Sequence, residues 1–165
     1  MYQRYEPDWE AYHRRAQIGP CFICRILAGD SGFPHHVVYE DEVAIAFLDA
    51  YPSVYGHALV APRAHLEQVT GDFAQEQYLG LQKAIYCVAE AVRLEVSAER
   101  VYLLSFGSNQ GNAHVHWHIA PLPPGIPYKE QQLVALQKGI LAIPEEDQAL
   151  LAARLRRRLA ESRGG

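Results

Sequence analysis

Residues 114–120, His114-Val115-His116-Trp117-His118-Ile119-Ala120, open on a strict alternation of imidazole and apolar side chains. Successive side chains of an extended strand point to opposite faces. His114, His116 and His118 therefore share one face, and Val115, Trp117 and Ile119 share the other. The apolar set belongs in a core, and the three imidazoles then line a site. Three of the chain's eight histidines fall in these five positions, a concentration that an incidental polar face on an edge strand does not require. Two chemistries suit the pattern. Same-face neighbours on a strand lie ~6.5–7 Å apart, a spacing that can serve zinc. Alternatively, a neutral imidazole, titrating near pH ~6.5, is a good nucleophile toward phosphorus or carbonyl carbon when a partner holds its other ring nitrogen.

Cys21-Phe22-Ile23-Cys24 places two of the three cysteines three positions apart. An odd cysteine count with this spacing reads as metal or redox chemistry and not as a disulfide framework. A single Cys-x-x-Cys needs two more ligands for tetrahedral zinc. Cys87, inside a long helical pattern, reads as a small buried residue. His57 follows Gly56 at the head of an apolar run. Neither Gly-x-Gly-x-x-Gly nor a Walker loop occurs. His13, His35 and His36 fit no pattern.

The elements that must position these groups read as α+β. Residues 8–17 fit a short polar helix and 25–30 one or two helical turns closed by Gly29. Apolar runs at 37–39, 43–48 and 57–61 are joined too tightly for crossover helices and predict an antiparallel meander. Residues 72–96 form the clearest helix, with Asp72 as cap, Gln75 as its capping-box partner, and Leu81, Ile85, Val88 and Val92 on one face. Strands at 101–106 and 114–120 follow, and Pro121, Pro123, Pro124 and Pro127 break regular structure. A last helix begins with Pro144-Glu145-Glu146-Asp147 and ends at Arg154, Arg156, Arg157 and Arg158, whose charges suit a solvated C-terminal turn. The division falls near residue 125, with a helical lead-in and main domain over 1–125 and a helical extension over 126–165.

Composition narrows the partners. The chain has 165 residues, 49% hydrophobic and 21% charged, with a net charge of −4. This is one globular domain, and its balance speaks against coating a nucleic acid polymer or an anionic membrane. No apolar run approaches the ~18–20 residues of a membrane span, and the N-terminus carries no export signal, so a cytoplasmic location is expected.

The motif His-φ-His-φ-His-φ-φ, with φ hydrophobic, resembles the signature of the histidine triad family of nucleotide hydrolases and transferases. Cys21 to Asp30, Tyr39-Glu40-Asp41-Glu42, Ala46-Phe47-Leu48-Asp49 and Gly56 through His65 resemble further family segments in the family's order, over roughly residues 20–125. The resemblance implies an antiparallel sheet of about five strands with one long and one short helix, usually paired as a homodimer through the long helix. It implies that His116 attacks the α-phosphorus of a small nucleotide, forming a nucleotidyl-imidazole that water or another acceptor then releases. His118 and backbone N–H groups from Gly107 to Gly111 would steady the phosphoryl oxygens, and His57 would complete the cluster. Phe22, Ile23 and Ile26, supported by Phe47, would wall the base. Asp49 would accept from ribose hydroxyls, and Gln110 falls at the family's Gln position.

Bacterial members complete the Cys-x-x-Cys site with two histidines, here His65 and His114, so the resemblance implies a structural Zn²⁺ on Cys21, Cys24, His65 and His114. Two departures stand out. Gly111 replaces a hydroxyl residue that helps the leaving group, and Pro121-Leu122-Pro123-Pro124 lacks an Arg that often follows the triad. The alternative to an enzyme is a zinc-stabilised nucleotide-binding or partner-binding module with little turnover.

Overall fold

The computed structural model describes residues 2–134 and 139–163. Five antiparallel strands form the main sheet in the order β2-β3-β4-β6-β5: β2 (Val37–Glu40), β3 (Ala44–Leu48), β4 (Ala58–Pro62), β5 (Arg100–Leu104) and β6 (Trp117–Leu122). The long helix α3 (Gln75–Glu95) and the C-terminal α5 (Glu145–Arg163) pack against one face. The short α2 (Phe22–Leu27) covers part of the other. A two-stranded ribbon of β1 (Arg4–Tyr5) and β7 (Ile140–Leu141), helix α1 (Trp9–Ile18) and the single turn α4 (Tyr128–Gln131) complete the chain.

The strand parity read from the sequence explains which face is which. Ala46, Leu48, Ala58, Val60, Trp117 and Ile119 point toward α3 and α5, where they meet Leu81, Ile85, Val88 and Val92 of α3 and Leu151, Leu155 and Leu159 of α5. Ile45, Phe47, Leu59 and Ala61 point the other way, against Ile23 and Ile26 of α2. Burying a side chain of this size contributes about 1.5–3 kcal/mol each. The single-residue alternation across β3, β4 and β6 thus separates a helix-backed core from a face left for the site.

Several local expectations need correction. Helix α3 starts at Gln75 with Ala74 as its cap, and Gln77 accepts the Ala74 N–H. Asp72 instead accepts the backbone N–H groups of Glu67 and Gln68, holding the loop before the helix. The ladder of β6 begins at Trp117 and not at 114, because Val60 is its last β4 partner in that direction and Pro62 has no N–H to offer. β6 also runs through Pro121 to Leu122. Pro121 pairs with Val101 of β5 beyond the last β4 rung, Ala58–Ile119, where a central ladder no longer asks for its missing N–H.

The arginines of α5 do not end that helix, and they are not merely solvated. Arg154 and Arg158 both donate to Glu95 at the end of α3, Arg154 also donates to the Tyr55 hydroxyl, and Arg156 donates to the Val37 carbonyl. No helix among the described residues is long and apolar enough to cross a membrane.

Candidate active site

β6 ends its pairing with β5 at His118–Leu104, and the Ser105 hydroxyl donates to the His116 carbonyl just beyond. His116 and His118 therefore stay in strand-like alternation and face a cavity of about 990 Å³. Phe22, Asp49, His57, His116 and His118 all line it. Phe47 is fully buried behind that wall, with Phe22 and His35 against its ring. Ile23 and Ile26 sit deeper still, in the core between α2 and the sheet. Gln110 lies aside, on a small neighbouring hollow between the 107–112 loop and α1.

The ring nitrogens of His116 are distinguished by their surroundings. Its Nδ1 lies 2.8 Å from the His114 carbonyl, which can only accept, so Nδ1 carries the proton and Nε2 keeps a lone pair. Burial holds His116 neutral by pushing its pKa down, an effect moderated by that carbonyl and by the charge of Asp49. The Phe22 ring stands edge-on to the His116 ring at 5.8 Å.

His57 and His118 form a relay. The Ser53 backbone N–H donates to His57 Nδ1 at 3.3 Å, which assigns the His57 proton to Nε2. That nitrogen lies 3.1 Å from His118 Nδ1 and donates to it, leaving the His118 proton on Nε2. Burial and the neighbouring His57 push the His118 pKa down to about 3, and burial also lowers that of His57. Asp49 is buried beside them. One of its carboxylate oxygens accepts the Tyr51 N–H, and the other lies 3.5 Å from His57 Nδ1. The site thus holds neutral imidazoles with one nearby carboxylate, an arrangement suited to a nucleophile and a neutral donor.

The loop before the triad is less generous than its glycines imply. Ser108 and Gly111 exchange backbone hydrogen bonds, and the Gln110 N–H donates to the Ser108 hydroxyl, so these donors are spent within the loop. Gly107 has φ +112°, and a Cβ there would meet the Asn112 carbonyl oxygen at 3.0 Å and His116 Cε1 at 3.8 Å. The loop can lie this close to the His116 ring only because residue 107 is glycine.

His114 leaves the cavity and turns to the cysteines. Cys21 Sγ lies 3.5 Å and Cys24 Sγ 3.6 Å from His114 Nδ1, and Cys24 Sγ lies 3.3 Å from His65 Nδ1. All four donor atoms fall within 4.8 Å of one another. Zn–S bonds of ~2.3 Å and Zn–N bonds of ~2.0–2.1 Å in a tetrahedron place S and N ~3.5 Å apart, so the spacing fits this metal. The far ring nitrogens are also held: His114 Nε2 donates to the Pro62 carbonyl, and His65 Nε2 faces Glu67 at 3.3 Å. Both contacts aim Nδ1 at the sulfurs. Without a cation, burial pushes the Cys24 thiol up to about 11 and His114 down to about 4.

Sequence reasoning missed one side of the cavity. Trp9, Tyr12 and Arg15 of α1, together with Tyr51, line it, as does Ile140 of β7. His35, which fitted no pattern, lines it too, against Phe22 and Phe47. The residues of α1 sit on a helix with no buried residue, so no hydrophobic period marks them. His36 pairs with Glu145 instead.

Comparison with known proteins agrees with this geometry. Protein hit of Bacillus subtilis is 37% identical over 109 residues, covering 61% of this chain and 70% of its own length. The adenosine 5′-monophosphoramidase hnt1 of Schizosaccharomyces pombe is 28% identical over 133 residues, covering 73% of this chain and 95% of its own. Among solved structures, a hypothetical histidine triad nucleotide-binding protein of Sulfolobus tokodaii superposes with a TM-score of 0.70 at 28% identity, covering 86% of this chain and 93% of its own. A zinc-bound histidine triad family protein of Mycobacterium smegmatis does so with a TM-score of 0.67 at 25% identity, covering 87% and 96%. The HIT domain model matches residues 31–124, more than half of the sequence, and the chain belongs to the HIT family.

Proposed function

We propose that the protein is a nucleotide hydrolase or nucleotidyltransferase that cleaves at the α-phosphorus through a covalent nucleotidyl-His116 intermediate. The observation that carries this reading is the fixed tautomer of His116. The His114 carbonyl takes the Nδ1 proton, and the Nε2 lone pair is left on the cavity side. In the first step this lone pair forms a P–N bond while the bond to the leaving group breaks and the leaving atom keeps the electron pair. In the second, water or another acceptor attacks and Nε2 recovers its lone pair. Dividing one displacement into two lowers the barrier to each.

The remaining roles follow from position. Phe22, backed by Phe47, Ile23 and Ile26, forms an apolar wall for a base, and Asp49 accepts from ribose hydroxyls. His118, oriented by His57, offers its Nε2–H to phosphoryl oxygens, and Gln110 is assigned a nucleotide contact from the hollow beside the 107–112 loop. The substrates are dinucleoside polyphosphates or nucleoside phosphoramidates, and the name of the fission-yeast relative, an adenosine 5′-monophosphoramidase, supports the second of these. Cys21, Cys24, His65 and His114 hold a structural zinc, since four protein ligands leave no open position. The zinc-bound mycobacterial relative supports this assignment.

We also propose a homodimer. Leu79 and Tyr86 of α3 remain 59% and 68% exposed, and β5 is an edge strand paired, among the described residues, only with β6. The test of the enzymatic reading is a panel of dinucleoside polyphosphates, nucleoside phosphoramidates, adenylyl sulfate and nucleotide sugars, run on wild type and His116→Asn. Turnover falls by several orders of magnitude in the variant with folding intact. Retention of more than about a tenth of the rate, a loss below ~1.4 kcal/mol, contradicts the mechanism.

A further inference from the structure

Helix α1 is docked on the loop that carries Gly111, one of the two departures from the family pattern. The Ala16 carbonyl accepts the Asn112 N–H, and the Asn112 side-chain amide donates to the Tyr12 hydroxyl at 2.9 Å. Asn112 adopts φ +51°, a left-handed conformation that a non-glycine residue seldom takes. At Gly111, where the hydroxyl is missing, a Cβ would meet the Ala16 carbonyl oxygen and Gln17 Cγ, each at 3.4 Å. α1 therefore lies in van der Waals contact with the place where the absent side chain would begin. Gly107 lies between Asn112 and His116 Cε1, so the Tyr12–Asn112 pair reaches the nucleophile across a single glycine.

Two groups on this helix are not spent on folding. The Tyr12 hydroxyl accepts from Asn112, which leaves its own proton free to donate. Burial and the nearby Asp49 raise its pKa, which keeps it a neutral donor. The Arg15 guanidinium lies over the Tyr12 and Tyr51 rings and donates to the Tyr51 hydroxyl, and among the described residues no carboxylate pairs with it. Both residues line the cavity of His116. Of the acidic groups there, Glu6 accepts from the Trp9 indole and Asp49 holds the Tyr51 N–H, which leaves Arg15 free for an anionic ligand.

We propose that α1 supplies the leaving-group side of the active site, with the Tyr12 hydroxyl donating to the oxygen that leaves phosphorus and the Arg15 guanidinium receiving the charge of a phosphate-chain leaving group. This inference rests on the reading of His116 as nucleophile. The α-phosphorus–oxygen bond breaks as the P–N bond forms, and the departing phosphate keeps the pair as an anion. No proton need be transferred, and the new charge falls beside a cation. A bidentate guanidinium suits phosphate oxygens better than an ammonium would.

The test compares diadenosine tetraphosphate with adenosine 5′-phosphoramidate, whose nitrogen, protonated beforehand from solvent, departs as neutral ammonia, on wild type, Arg15→Gln, Arg15→Lys and Tyr12→Phe. Arg15→Gln is expected to lower kcat/KM roughly tenfold or more on the tetraphosphate and less than about twofold on the phosphoramidate, with Arg15→Lys recovering part of the loss. Tyr12→Phe is expected to lower kcat on the tetraphosphate with KM little changed. Equal losses on both substrates, the mark of a merely structural helix, overturn the proposal, as does no loss on either.

A binding measurement on the His116→Asn background separates the two readings. ATP is expected to bind more tightly than AMP, and Arg15→Gln is expected to abolish the difference. If wild type turns over no member of the substrate panel while the preference for ATP still depends on Arg15, the nucleophile is refuted and the subsite kept. Turnover that needs His116 without any dependence on Arg15 refutes the subsite alone.

Discussion

Removing the metal from the Cys21–Cys24–His65–His114 site should destabilise the protein before it alters chemistry. The four ligands tie together the start of α2, the loop after β4 and the segment that leads into β6. His114 stands two residues from His116 and is bound to the Pro62 carbonyl besides. Zinc at a free concentration about 100 times its Kd stabilises the folded state by ~2.7 kcal/mol. In a domain of this size each kcal/mol moves Tm by ~2–4 °C, so chelation should lower Tm by about 5–11 °C. Metal analysis of protein never exposed to chelator should find about one zinc per chain, and Cys21→Ser should lose zinc and stability together. Cys87→Ser, whose thiol lies on α3 away from the site, should keep its zinc. Without metal the thiol of Cys24 holds its proton up to about 11, so binding must expel it, and zinc should leave as pH falls. Well under half an equivalent of zinc, or a Tm indifferent to chelator, refutes the reasoning.

Leu155 of α5 is fully buried against α3 and the sheet, whereas Leu150 is 58% exposed. Leu155→Ala should cost about 2–5 kcal/mol in urea unfolding and Leu150→Ala less than about 0.5, and equal costs would deny that α5 shares the core. Burial depresses the pKa values of His57 and His118, the latter to about 3 against 6.5. Below pH ~6.5 the unfolded chain takes up protons that the folded one refuses. Stability is therefore full above ~6.5 and falls by up to ~1.4 kcal/mol per pH unit per imidazole as pH drops toward about 3. His118→Phe should flatten that slope in denaturation at pH 7, 6 and 5, and an unchanged slope contradicts the burial argument. Light scattering at micromolar concentration should give twice the chain mass, and a clean monomer would refute the pairing through α3 and β5.

The parts of the site legible from sequence are those whose residues repeat or are locally spaced. Period-two alternation over 114–119 announces which side chains meet a core and which leave it, and Trp117 and Ile119 do pack on α3, while of the three imidazoles only His116 and His118 meet the cavity and His114 turns to the cysteines. The helix over 75–95 is equally plain, because Leu81, Ile85, Val88 and Val92 keep one face. What escaped depends on partners far along the chain. Asp72 has the chemistry of a cap but spends it on the N–H groups of Glu67 and Gln68. Arg154 and Arg158 resemble a solvated helix end until Glu95, about sixty residues earlier, comes beside them. Helix α1 buries none of its residues and is held by hydrogen bonds from Asn112, so no periodicity tied Tyr12 or Arg15 to the cavity. The two-residue ribbon of β1 and β7 is too short to leave any pattern.

The central claim is that the Nε2 of His116 becomes covalently bonded to the α-phosphorus. The direct measurement is a rapid alkaline quench during turnover, followed by peptide mass spectrometry, because a phosphorus–nitrogen bond to imidazole survives base better than acid. The account predicts one nucleoside monophosphate on the peptide carrying His116, localised to that residue, formed and consumed at rates consistent with kcat and absent from His116→Asn. A chiral α-phosphorus should show net retention, since two displacements each invert it. Net inversion, or an adduct localised to His57 or His118, would contradict the account.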